Sequence, residues 1–240
     1  MIVPYHEKCG NIFPGIENIT RFLSEKPFKS EVLVVSGKSA MFEDLPEDLL
    51  SEVPLVLTDI PKDARKNQGS AYVAGFRKAR GDWAMLVDSD MLFLESELDK
   101  VISAMAPSRD IVRTYRSDFA RESALRKAGS ETINFIFNLG SGARLRDVGS
   151  SLSAYTRNIY HNVFNDRFKN YHVFLPFVVS ILAAEQNLFI KEIPVKIPPV
   201  PGERSSYSIS QLLRVGSSVI NLKIISLISR IFRASKSVRS

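Results

Sequence analysis

Apolar residues along the first half of the chain fall into two alternating rhythms. Short continuous runs have the length and β-branched character of strands buried on both faces: Glu31-Val32-Leu33-Val34-Val35-Ser36, Pro54-Leu55-Val56-Leu57-Thr58 and Trp83-Ala84-Met85-Leu86-Val87-Asp88. Ile2-Val3-Pro4 reads as the end of a shorter first strand, and Asp110-Ile111-Val112-Arg113 as a fifth. Between these runs the apolar period lengthens to that of a helix. Asn11 to Leu23 places Ile12, Ile16, Ile19 and Phe22/Leu23 on one face. Gly69 to Arg80 carries Tyr72, Val73, Phe76 and Ala79, and a third helix is expected around Glu95–Ala106. Strands alternating with helices predict an α/β, Rossmann-like, mostly parallel sheet with helices on both faces.

The second half changes character. Ser123 to Leu139 reads as a helix, Gly140-Ser141-Gly142 as a loop, and Leu145 to Tyr155 as irregular to strand-like. Val173 to Gln186 is apolar and helical, Leu188 to Ile197 returns to a strand, and Pro198-Pro199-Val200-Pro201-Gly202 is a break. The change near residue 115 divides one domain, 1–207, into halves of 1–115 and 116–207. The remainder, 208–240, is a basic amphipathic helix and tail. Leu212, Val215, Val219 and Leu222 form one apolar stripe; Ile220, Ile224, Leu227, Ile228 and Ile231 form a second, rotated one. Lys223, Arg230 and Arg233 lie opposite that second stripe. Such a helix can lie in a membrane interface among anionic headgroups, or dock on protein.

Composition narrows the partners. A net charge of +6 favours anionic ligands. Nucleic acid is not expected, because the cations are dispersed and no stacking-aromatic motif accompanies them. The single cysteine, Cys9, fits a reducing compartment and reads as an ordinary thiol. Three scattered histidines, His6, His161 and His172, lack zinc-ligand spacing. No signal peptide is visible, and no apolar run reaches the roughly 20 residues that span a bilayer. A cytoplasmic protein, peripherally associated with the cytoplasmic membrane, is the expectation.

The strongest chemical signal is Asp88-Ser89-Asp90, where a buried-strand pattern ends in two carboxylates spaced i, i+2. Ligands of open α/β sheets bind at the carboxyl ends of strands. Two hard oxygen donors there suit Mg²⁺ or Mn²⁺ bridging a diphosphate. The same triplet also occurs in plain turns, where Asp bonds its own backbone.

Further segments follow in order: Ile2-Val3-Pro4-Tyr5-His6-Glu7, Asn67-Gln68-Gly69 opening a helix, Gly75, Gly81-Asp82 and the Asp88–Asp90 triplet. Together they resemble family 2 glycosyltransferases of the GT-A fold. The second half most resembles the polyprenyl (dolichyl) phosphate sugar synthases, through Arg146-Asp147-Val148-Gly149-Ser150-Ser151-Leu152-Ser153-Ala154-Tyr155, Ile190-Lys191-Glu192-Ile193-Pro194-Val195 and Arg204-Ser205-Ser206-Tyr207-Ser208. Departures fall in both halves. The second strand ends Val35-Ser36-Gly37-Lys38-Ser39, without the family's aspartates that contact base and ribose, and Leu92 stands where a polar ligand is usual. Tyr207 replaces a glycine of the basic loop, and Leu152 an aromatic.

The resemblance implies inverting transfer of a sugar from a GDP- or UDP-linked donor to a polyprenyl phosphate. It assigns Pro4, Tyr5, Glu7, Gln68, Gly69, Asp88 and Ser89 to the nucleotide sugar, and Asp90 with Asp88 to the metal. Arg116, Arg126 and Arg204 match its phosphate-site arginines, and Asp147 holds one of them, faces the acceptor, or serves as a helix cap or loop residue. An ionised phosphate acceptor requires cations that hold two anions together and no general base. Two alternatives stay open: a soluble family 2 enzyme acting on a sugar hydroxyl, with Asp147 or Asp118 as base, and a non-catalytic GT-A binding protein.

Overall fold

The computed structural model describes residues 1–5, 12–36, 54–60, 68–87, 95–117, 131–132, 134–135, 138, 145–147, 150, 152–163 and 188–196. In chain order these form β1 (Ile2–Tyr5), α1 (Phe13–Ser24), β2 (Val32–Ser36), β3 (Leu55–Asp59), α2 (Gln68–Lys78), β4 (Trp83–Leu86), α3 (Glu95–Ala104), β5 (Ile111–Arg116), β6 (Ser153–Thr156), a π-helical turn at Ile159–Val163, and β7 (Ile190–Val195). Residues 131–132, 134–135 and 138 are also helical. The helices expected at 173–186 and 208–233 lie outside the described residues. No described helix is long and apolar enough to cross a membrane.

One seven-stranded sheet runs in the order β3-β2-β1-β4-β6-β5-β7. Every pairing is parallel except those of β6, which lies antiparallel between β4 and β5. Apolar periodicity encodes burial and not direction, so the sequence pattern carries no trace of this reversal. Its consequence is geometric. β1 to β5 and β7 end at one edge of the sheet, and β6 starts from that same edge: Leu86 pairs with Ser153, and Arg116 with Val195.

The strand runs bury both faces. Ile2, Leu33 and Val35 pack with Ala71, Tyr72, Ala74 and Phe76 of α2 on one side. Val3, Val32 and Val34 pack with Ile16, Phe22 and Leu23 of α1, and with Leu98 and Val101 of α3, on the other. α1 starts at Phe13 and not at Asn11, because Pro14 suits a first helical turn and Ile12 offers no capping side chain. α2 rests very close to the sheet: a Cβ at Gly75 would come within 2.5 Å of Ile2 Cγ2. Glycine here removes the atom that would push the helix away.

The π-helical turn has no counterpart in the apolar pattern. It delivers Tyr160, which stacks on Phe76 with centroids 5.6 Å apart and donates its hydroxyl to the Gly81 carbonyl. The expected Gly81-Asp82 helix stop is thereby tied to β6: Arg157 N donates to the Asp82 carbonyl at 2.8 Å.

Candidate active site at the carboxyl edge of the sheet

In the donor half the last residues of three strands stand level. Tyr5 pairs with Ser36, and Ser36 with Asp59, so β1, β2 and β3 end in one row. Pro4, one residue earlier on β1, is buried beside Val35. α2 runs back from this edge, which places Gln68 and Gly69 in its first turn at the edge itself. That turn holds no acidic residue, and Arg77 and Lys78 close the far end. The positive end of the helix dipole therefore faces this edge with no acidic residue in its own first turn.

On the other side of β1, β4 leads to the same edge. Val87 is buried and its N–H donates to the Ile2 carbonyl at 3.0 Å. Asp88, Ser89 and Asp90 follow it directly in the chain but lie outside the described residues, as do Glu7, Arg126 and Arg204. Among the described residues no group of three or more His, Cys, Asp or Glu side chains could hold a metal ion. Asp88 and Asp90, which the sequence offers as hard oxygen donors, follow the buried end of β4 in the chain and lie outside the described residues.

The acceptor half is built around Asp147. Its carboxylate is fully buried and lies against Arg116, the last residue of β5. Arg116 Nε donates to Asp147 Oδ2 at 2.7 Å, its backbone N–H to the same oxygen at 3.3 Å, and Nη2 to Oδ1 at 3.4 Å. The Arg116 side chain keeps 22% exposure, so it reaches from the buried carboxylate toward the edge. Asp147 is thus in contact with Arg116, one of the arginines it was expected to hold. Position along the edge matters too: Arg116 on β5 lies two strands from β4, about 10 Å at one ladder spacing per strand.

A second arginine secures the same segment from beneath. Arg113, also on β5, is fully buried and donates from Nη2 to the carbonyls of Ser150 at 3.1 Å and Asp147 at 3.4 Å. Thr114 bonds the Ser150 hydroxyl and donates to the Leu152 carbonyl at 2.8 Å. The loop that carries Asp147 into β6 is thus pinned by Arg113, Thr114 and Arg116 of β5, and Val112 continues the pairing onto Ala154 of β6. Tyr155, beside Arg113, has its hydroxyl pushed to higher pKa by burial, which the nearby guanidinium partly opposes. Arg146 covers the rim: it lies 4.8 Å above the Tyr115 ring, donates to the Tyr115 hydroxyl at 2.8 Å, and its N–H meets Glu192 of β7 at 2.9 Å.

The structure thus brings Tyr5, Gly69, Arg116 and Asp147 to one sheet edge. Three contributors escaped the sequence pattern. Asp59 ends β3 as Asp88 follows β4, a strand-then-carboxylate signal that was legible had the strand been carried one residue past Thr58. Arg113 is a cation inside an apolar strand, visible as an anomaly, but the carbonyls it bonds lie 34 and 37 residues along the chain. The Arg146–Tyr115 contact joins residues 31 apart and has no local signal.

Comparison with known proteins agrees with this architecture. A relative from Pectobacterium carotovorum subsp. carotovorum (strain PC1), an undecaprenyl-phosphate 4-deoxy-4-formamido-L-arabinose transferase, is 25% identical over 214 residues, covering 85% of this chain and 62% of its own. One of the same description from Pseudomonas fluorescens (strain Pf0-1) is 27% identical over 184 residues, covering 77% of this chain and 52% of its own. The chain therefore spans about half to three-fifths of the length of these relatives. Among solved structures, glucosyl-3-phosphoglycerate synthase from Mycobacterium tuberculosis, crystallised with Mn²⁺, UDP-glucose and phosphoglyceric acid, superposes with a TM-score of 0.62 at 12% identity, over 92% of this chain and 78% of that one. Mannosyl-3-phosphoglycerate synthase from Rubrobacter xylanophilus gives 0.59 at 12% identity, over 98% and 74%. These likenesses show a shared GT-A fold. The model of glycosyl transferase family 2 matches residues 2–164, more than half of the chain, and the chain belongs to that family.

Proposed function

We propose that the protein is a metal-dependent, inverting glycosyltransferase that moves a sugar from a nucleotide sugar to a polyprenyl phosphate. The observation that carries the acceptor class is the Arg116–Asp147 pair. A hydroxyl acceptor needs a carboxylate free to take its proton. Asp147 is instead buried and committed to a guanidinium, so of the described residues at this place it is the Arg116 cation that faces the edge; Asp118, the other candidate base, lies outside the described residues. An ionised phosphate needs that cation and no base. The names of the relatives, all undecaprenyl-phosphate sugar transferases, support the same acceptor.

In this reading the donor diphosphate lies at the end of β4, near the N-terminus of α2, with its base toward β2 and β3. Asp88 and Asp90 hold Mg²⁺ or Mn²⁺, which when bound neutralises charge on the departing diphosphate. Arg116, held by Asp147, positions the acceptor phosphate, and Arg126 and Arg204 add cations. A phosphate oxygen forms the new bond to the anomeric carbon while the bond to the diphosphate oxygen breaks, and the nucleoside diphosphate leaves. Bringing the two anions together is the main catalytic task. The 208–240 helix, with its cations opposite an apolar stripe, holds the enzyme on the membrane that carries the lipid.

The test is transfer from a panel of nucleotide sugars, with Mg²⁺ or Mn²⁺, to a short polyprenyl phosphate in anionic vesicles. Wild type should transfer and pellet with the vesicles. Asp90→Ala should lose transfer while keeping its unfolding midpoint; full activity in that variant would sink the metal assignment.

A further inference from the structure

The second strand's missing acid leaves the donor half without the carboxylate expected at Ser36. The register supplies one next door. Ser36 pairs in parallel with Asp59, and Tyr5 with Ser36, so the three side chains stand in one row and on one face. Of these three strand ends only Asp59 carries a charge. Ser36 is buried, whereas Asp59 is exposed and makes no hydrogen bond or ion pair with any described residue. Among the described residues β3 is the edge strand of the sheet.

Distance decides which part of a donor Asp59 meets. β3 and β4 are separated by β2 and β1, three ladder spacings or about 14 Å. With the diphosphate at the end of β4, as the proposed function has it, ribose and base extend along the edge over β1 and β2. The end of β3 then meets the far edge of the base. We propose that Asp59 is the residue that reads the donor base, and that it selects bases with a ring N–H donor. This rests on the nucleotide-sugar reading above and adds the residue and the base class to it.

The chemistry is one of matching donors to an acceptor. An ionised carboxylate only accepts hydrogen bonds. Uracil presents N3–H, and guanine presents N1–H beside its exocyclic amine. Cytosine and adenine present a bare ring nitrogen at the corresponding place, where two lone pairs would oppose each other. Uridine and guanosine diphosphate donors are therefore favoured over cytidine and adenosine ones. A charge-assisted hydrogen bond of this kind is worth about 10- to 100-fold in affinity.

The experiment is calorimetric titration of the full chain with UDP, GDP, CDP and ADP in the presence of Mn²⁺. Wild type should bind UDP or GDP at least about tenfold more tightly than CDP and ADP. Asp59→Ala should bring the preferred diphosphate down to the CDP level. Asp59→Asn, which can donate to cytosine N3, should in addition tighten CDP. Both variants should keep the wild-type urea midpoint, since Asp59 is exposed. Unchanged UDP and GDP affinity in Asp59→Ala would overturn the inference and leave the proposed function standing. An equal loss for all four diphosphates would also overturn it, by pointing to ribose contact. No binding of any of the four to wild type would overturn the proposed function and this inference together.

Discussion

The Arg116–Asp147 pair makes an unequal prediction for its two halves. Arg116→Met removes Nε and Nη2 from a carboxylate that has no solvent exposure, while the residue 116 N–H at 3.3 Å stays in place. Breaking a buried ion pair by removing one partner costs about 3–5 kcal/mol. Because the Arg116 side chain is about a fifth exposed, water can follow the truncated side chain in, which brings the expected cost to about 3 kcal/mol. Asp147→Asn keeps shape and one acceptor oxygen but turns amide donors toward guanidinium donors. The arginine then retains its route to solvent, so about 1.5–2 kcal/mol is expected. In a chain of this size these losses correspond to roughly 6–12 °C and 3–8 °C in melting temperature. Urea unfolding of wild type, both single variants and the double variant gives the midpoints and the coupling between the sites. Asp147→Asn should also lower transfer to the lipid phosphate, through loss of the Arg116 orientation, and Asp147→Glu should restore part of it. Arg116→Met within about 1 kcal/mol of wild type, or less damaging than Asp147→Asn, would refute the buried-pair argument.

Two further outcomes follow from the packing. Gly75→Ala places a methyl group 2.5 Å from Ile2 Cγ2, on a β-branched side chain with little room to turn, and overpacking of this kind costs about 1–3 kcal/mol. Helix propensity returns about 1 kcal/mol, so a net loss in urea midpoint is expected, larger for Gly75→Val; a gain would show that α2 can move off the sheet. Burial raises the Tyr155 pKa above its ordinary value of 10.0, so the folded state prefers the protonated phenol. The associated stability is complete below pH 10 and is lost as pH rises from there toward the folded value. Tyr155→Phe should flatten the alkaline fall in unfolding free energy; an identical fall in both proteins would refute the assignment.

Legibility followed the range of the interaction. The strands at 32–36, 55–59 and 83–86 and helices α1 to α3 were readable because burial on two faces, or on one helical stripe, is written in consecutive residues. Errors there are one or two residues at ends, as at Phe13 and Asp59. The Asp88–Asp90 triplet was readable for the same reason, being a local run with a local ending. Asp147 was readable as a candidate but not in its role, since different uses of a carboxylate have the same local sequence. The 31-residue separation from Arg116 put the deciding contact out of reach of any window.

By itself, the order of apolar and polar residues determined that this chain alternates buried strands with amphipathic helices in an α/β fold, because burial acts on consecutive residues. Tertiary structure alone decided which strand lies beside which. The antiparallel insertion of β6 between β4 and β5 sets the distance from the Asp88–Asp90 strand to Arg116. The parallel register of β2 with β3 sets a carboxylate beside Ser36 where the second strand itself has none. Both depend on contacts between residues far apart in the chain, whose free energy is realised only when the whole sheet forms.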